Sequence, residues 1–204
     1  GRLPKVETIR KFVKDADPSK RDKLIDSIVA TSWVGFRGRL STPFVDRWTY
    51  WFGDLFRTNA GHNNVKGATI LYDYIYNSLL ENLPYDEFVR TLLTSSSRSN
   101  WTNGPINYYA RDYVNATDDD IINNEDTYDQ WAISSYKLFL GVNLECISCH
   151  QGGGHLEKIN SWLTKRSREE FWNQAAFFSE SRLWRPYGNN AHYALTEDGK
   201  GYDL

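Results

Sequence analysis

The only two cysteines of this 204-residue chain stand in the run Cys146-Ile-Ser-Cys149-His150, and the chain has no methionine. Whatever holds or is held by that pentapeptide constrains the fold around it more than length does. Three chemistries use such a run. A redox dithiol uses the two thiols, starts a helix behind a β-strand and leaves His150 without a part; no strand is predicted ahead of residue 146. A zinc site needs four ligands. No second Cys-x-x-Cys exists, so Cys146 and Cys149 would be completed by His155 together with His62 or His192. Covalent haem attachment uses every specified residue, because the two thiols add to the haem vinyl groups and the adjacent histidine lies beneath the iron.

The rest of the chain reads as consecutive amphipathic helices. Val6, Ile9 and Val13 recur at helical spacing over 6–14. Asp17-Pro18 supplies a cap and a first-turn proline for a second helix with Leu24, Ile25, Ile28 and Val29 on one face. Ser41-Thr42-Pro43 repeats that signal before an aromatic-rich helix carrying Phe44, Val45, Trp48, Trp51, Phe52, Leu55 and Phe56, a face broad enough for a central, buried position. A polar loop is expected over 58–67, helices over 70–80 and 85–93, and a loop over 95–104. The acidic stretch 117–126 precedes a helix over 127–141, where its charge suits the helix dipole. A last helix is expected over 167–179. No alternating strand pattern and no repeat stand out. The prediction is a mainly α fold: one helical domain of about seven helices over 1–185, with the haem packed against the aromatic-rich helix, and an irregular polar tail over 186–204.

Composition excludes some functions. Lys and Arg number 24 against 26 Asp and Glu, with no basic stripe, which argues against nucleic acid. No apolar run approaches the length of a membrane span. Asn100-Trp-Thr and Asn115-Ala-Thr are glycosylation-type triplets that also arise by chance.

From residue 3 to about 183 the chain resembles the planctomycete-type cytochrome c domains, exported bacterial proteins of largely unknown function. The stretches that carry the resemblance are GRLPKVETIRKFV, DKLIDSIVATSWV, DRWTYWFGDLFR, LYDYIYNSLLENLPYDEFVRTLL, NWTNGPINY and FLGVNLECISCHQGGGHLEKINSW, the last being the most specific. The resemblance implies one haem c attached through Cys146 and Cys149, with His150 as the axial iron ligand. It also implies export to the periplasm or cell surface, and a chain that is one piece of a longer precursor. It does not extend into the tail.

Without methionine the His/Met axial pair is excluded within the chain. His155 cannot reach the far face of its own haem, since five extended residues span at most about 17 Å. It remains a contact near the haem or a ligand offered to a neighbouring haem. His62 and His192 are the candidate sixth ligands, with His62 favoured because its loop adjoins the aromatic helix. Gly152, Gly153 and Gly154 are expected to turn the backbone away from His150. The function that follows is single-electron transfer with a redox partner protein, with assembly into a homo-oligomer or filament as an extension. An open distal site with His62 or His192 beside Arg57 or Arg98 would instead make a peroxidase-like enzyme. Zinc would make the site a structural staple.

Overall fold

The structure is a computed structural model describing residues 3–30, 32–34, 38–58, 60–114, 120–154, 156–188 and 192–198. Among the described residues it is mainly helical. In chain order the elements are α1 (Val6–Lys14), α2 (Lys20–Ala30), β1 (Trp33–Val34), β2 (Leu40–Ser41), α3 (Pro43–Leu55), α4 (Ala60–Leu80), α5 (Tyr85–Thr94), α6 (Asn107–Ala110), α7 (Asp120–Ser135), α8 (Glu145–Cys149), α9 (Arg168–Ala175), β3 (Arg182–Trp184) and β4 (Ala194–Thr196). A π-helical turn, Tyr136–Leu140, continues α7, and a 3-10 turn, Ala176–Phe178, continues α9.

Local chemistry explains the boundaries. Thr42 accepts the Val45 N–H at 3.1 Å, with Pro43 in the first turn of α3. Ser167 and Glu170 form a reciprocal capping box at the start of α9, at 3.1 and 2.7 Å. The π-helical turn ends at Gly141, whose φ of 68° lies in the left-handed region that glycine enters freely. Asp17 caps a turn, accepting the Ser19 N–H at 2.8 Å, and α2 itself begins only at Lys20.

The core is built on α4, α5, α6, α7 and α9. Leu71, Ile75, Leu92, Trp131, Ala132, Phe171 and Ala175 are buried there, and the Trp131 indole donates to Tyr109 O at 3.0 Å. Phe56, at the end of α3, enters this core against Phe88, Tyr108 and Phe139.

Several expectations need correction. Nine α-helices occur among the described residues rather than about seven, the additions being the short α6 and α8. Two antiparallel two-stranded ladders are present, where none was expected: Trp33 pairs with Ser41, and Leu183 with Leu195. The stretch expected as an irregular tail contains β4, whose Ala194 and Leu195 are buried and which also bridges to Ser97. The expected loop 58–67 is helical from Ala60, with a kink at Asn64 (φ 55°). Residues 120–126 form the first turns of α7, so these acidic groups lie within the helix and not ahead of it. The aromatic helix is not central: Phe44, Trp48 and Trp51 stay about 40% exposed or more while Val45, Thr49 and Gly53 face inward onto α4. The apolar stripe on α1 is likewise uncovered, and that helix buries no residue.

Candidate functional site

Helix α8 is set by its apolar residues. Leu144 and Ile147 are 1% and 2% exposed, so the helix lies with that side against the core and against α9. Cys146 and Cys149, three positions apart, are neighbours along one face of the helix. Cys146 is half-buried at the core margin, Cys149 is exposed, and both are free thiols. The backbone turns from helical to extended at His150 (φ −155°, ψ 170°), which leaves the ring exposed with Nδ1 3.2 Å from Gln151 O. The pentapeptide therefore exposes Cys149 and the His150 imidazole and keeps Cys146 at the core margin, on a helix anchored by Leu144 and Ile147.

The segment after α8 is bound tightly to the start of α9. Gly152 N–H donates to Arg166 O at 3.0 Å, and a Cβ at Gly152 would stand 1.8 Å from Leu163 O. Gly154 has a φ of 94°, a turn conformation suited to glycine, whereas Gly153 has room for a side chain. Only two of the three glycines thus answer the expected need. Arg168 N–H donates to Gln151 Oε1 at 3.2 Å, its Nε donates to Ser148 O at 3.1 Å, and its guanidinium lies 4.5 Å from the Trp172 ring. Sequence reasoning passed over Arg168, and no spacing rule links it to Ser148, twenty positions earlier.

On the inner side of α8 a cavity of about 190 Å³ is lined by Leu144, Ile147 and Phe171 below, and by Trp162, Arg166 and Glu170 at its rim. It is below the roughly 300 Å³ at which small-molecule sites begin. Tyr136, from the π-helical turn, closes one end by donating to Gln174 Oε1.

Of the predicted sixth ligands, only the His192 side chain falls among the described residues. The His62 side chain and His155 lie outside the described residues. His192 is 7% exposed, stacked between Trp101 (4.2 Å) and Tyr187 (5.0 Å), with Nε2 2.7 Å from Ser99 Oγ. Burial, with Lys66 as a second cause, pushes its pKa below the ordinary histidine value. His192 is therefore committed to joining the C-terminal strand region to the 95–104 loop, and its Nε2 is not presented to an iron. Arg57 lies 3.7 Å from the Asp112 carboxylate, an ion-pair partner rather than a companion of His192. Phe52 of α3 packs on Phe88 of α5 and α3 lies against α4, whereas α8 lies against α9. Asn100, one of the glycosylation-type asparagines, is fully buried and hydrogen-bonded to Asn107.

Among the described residues no three His, Cys, Asp or Glu side chains converge as a metal-binding group, and no helix is long and apolar enough to cross a membrane. No curated protein and no solved structure matches the chain. The family description PSCyt2, protein of unknown function (DUF1549), matches residues 1–182, and the chain belongs to that family.

Proposed function

We propose that this protein carries one haem c bound through Cys146 and Cys149, with His150 as an axial ligand, and that it works outside the cytoplasm as a one-electron carrier for a redox partner protein. The observation that carries this reading is the placement of Cys146 at the core margin and of Cys149 in solvent, about one helical turn apart on a short helix anchored by Leu144 and Ile147. Both thiols can meet a planar group lying along that margin, and His150, where the backbone becomes extended, places an exposed ring directly after them. The residues present fit the attachment chemistry. Zinc would need His155 together with His62 or His192 beside the two thiols, and His192 is engaged with Ser99. A redox dithiol is less well served, because α8 follows a π-helical turn and not a strand.

When bound, haem supplies an iron centre that takes up and releases single electrons. The chain's own part is to fix both ends of the pentapeptide and to supply one imidazole. The sixth position is left to His62, to His155 of a neighbouring copy, or to an external ligand, because His192 is engaged with Ser99. Assembly of copies into an oligomer or filament would bring such a neighbour within reach.

The test is expression with export in a strain that matures c-type haem. Alkaline pyridine should give the spectrum of a haem with both vinyl groups saturated, and denaturation should leave one haem per chain. Cys146→Ser with Cys149→Ser should abolish that retention. A wild-type chain matured beside a control cytochrome but released without haem would refute the proposal. Adding cyanide or carbon monoxide to the loaded protein then separates a closed, low-spin carrier from an open, ligand-binding enzyme.

A further inference from the structure

Helix α8 has five residues, too few to hold a direction by its own hydrogen bonds. Leu144 and Ile147 fix its inner side, yet Cys149 and His150 stand at its C-terminal end, where the last carbonyls of a helix lack partners. Arg168 answers that need. Its Nε donates to Ser148 O, the carbonyl just before Cys149, and its positive charge is placed where a helix terminus favours a cation. The guanidinium lies 4.5 Å from the ring centroid of Trp172, a side chain packed on the core, so the donor is held from behind. Gln151 completes the exchange by accepting the Arg168 N–H, which is otherwise an unpaired donor at the start of α9. The end of α8 and the start of α9 are thus tied by two hydrogen bonds across the loop. Lysine could supply the charge, but not a planar donor that stacks and points at the same time.

We infer that Arg168 is the positioning residue of the Cys-x-x-Cys-His site: clamped on Trp172, it fixes the end of α8 and with it the directions of Cys149 and His150. The inference rests on the haem reading for the purpose of the site, but its geometry is independent of haem.

The experiment has two arms, each comparing wild type with Arg168→Leu, Arg168→Lys and the exposed control Lys165→Ala. In haem-free protein, amide exchange is followed residue by residue. Arg168→Leu should speed exchange at Ser148 and Cys149 roughly threefold to tenfold, the effect of losing one hydrogen bond, while Leu71 and Ile75 in α4 stay unchanged. Arg168→Lys should lie between, and Lys165→Ala should match wild type. In exported, haem-loaded protein, Arg168→Leu should raise the share of haem bound through one thioether and perturb the paramagnetic resonance signature of the His150-ligated iron. Unaltered exchange at Ser148 and Cys149 would overturn the inference, as would a loaded Arg168→Leu protein with wild-type attachment and signature. A wild-type protein that takes no haem would sink the haem reading alone, and the exchange arm would still decide whether Arg168 fixes α8.

Discussion

Gly152→Ala measures how closely the strip after His150 is pressed onto the α9 side. An added Cβ would meet Leu163 O at 1.8 Å, Leu163 C at 2.8 Å and Arg166 O at 3.0 Å. All three are backbone atoms, so no side chain can rotate away. Ordinary contact begins at 3.4 Å, and the two strips would have to part by about 1.6 Å. That separation breaks the Gly152 N–H bond to Arg166 O. Overpacking costs about 1–3 kcal/mol and the lost hydrogen bond about 1. The expected destabilisation is therefore about 2–4 kcal/mol, or a Tm lowered by roughly 5–15 °C for a chain of this size. Gly153→Ala is the internal control. Its nearest neighbour would be Thr164 O at 3.7 Å, so the same substitution one residue later should change stability by less than about 0.5 kcal/mol. Urea denaturation followed by tryptophan fluorescence gives both values. Equal stabilities for the two variants would refute the close approach, and with it the argument that the loop is clamped.

Three further outcomes are expected. Asn107 is fully buried, and its amide spans Asn100 O at 2.8 Å, Gly104 O at 3.1 Å and the Asn100 amide at 2.9 Å, so Asn107→Ala should cost about 2–4 kcal/mol in urea denaturation by leaving those groups unmatched. Burial pushes the Tyr108 hydroxyl up to about 12 and raises Tyr109 as well, so the fold keeps both neutral while unfolded tyrosines ionise near 10; stability should be intact below pH 10 and fall as pH rises toward 12, with tyrosinate absorbance growing together with loss of helical circular dichroism. The lowered pKa of His192 works in the opposite direction: the unfolded histidine binds a proton near 6.5 while the folded one resists, so stability should fall as pH drops below about 6.5. His192→Phe should flatten that slope in a urea midpoint–pH series, and an unchanged slope would exclude His192 as its source.

What the sequence made legible was local. The bounds of α1 and the caps of α3 and α9 follow from neighbouring residues alone, as does the polarity of the thiol pair. What it hid was tertiary. TNAGHNNVKG has a loop composition, yet α4 starts at Ala60. Beyond the kink at Asn64 it is held from far along the chain, by Lys66 over the Trp101 ring at 4.6 Å and by Gly67 packed so closely on Asn107 that a Cβ would meet its side-chain oxygen at 2.5 Å. The same distance in sequence concealed β4, whose short run gains its order from β3 and Ser97. The aromatic stripe on α3 misled in another way. Its pattern states which residues would profit from cover, and the fold covers Phe56 while leaving Trp48 and Trp51 half in solvent.

The pentapeptide shows both limits at once. Its residue types name the chemistry, since two thiols and an imidazole in five positions have few uses, but they say nothing of direction. Direction comes from Ile147, which seats the helix on the core, and from a clamp assembled twenty positions later by Arg168 and Trp172. A helix this short inherits its orientation from its surroundings. If the pentapeptide holds haem as proposed, exchanging Ile147 for a polar residue should disturb haem attachment even with Cys146, Cys149 and His150 intact. Ile147→Asn would put an amide into the buried side of α8, at a cost of roughly 2–4 kcal/mol, and roll or fray the helix that carries both thiols. Mass spectrometry of exported protein should then find a reduced share of doubly attached haem, while Ile147→Val, which keeps the apolar anchor, should match wild type. Equal attachment in the two variants would show that the thiols are aimed by something other than the buried side of their helix.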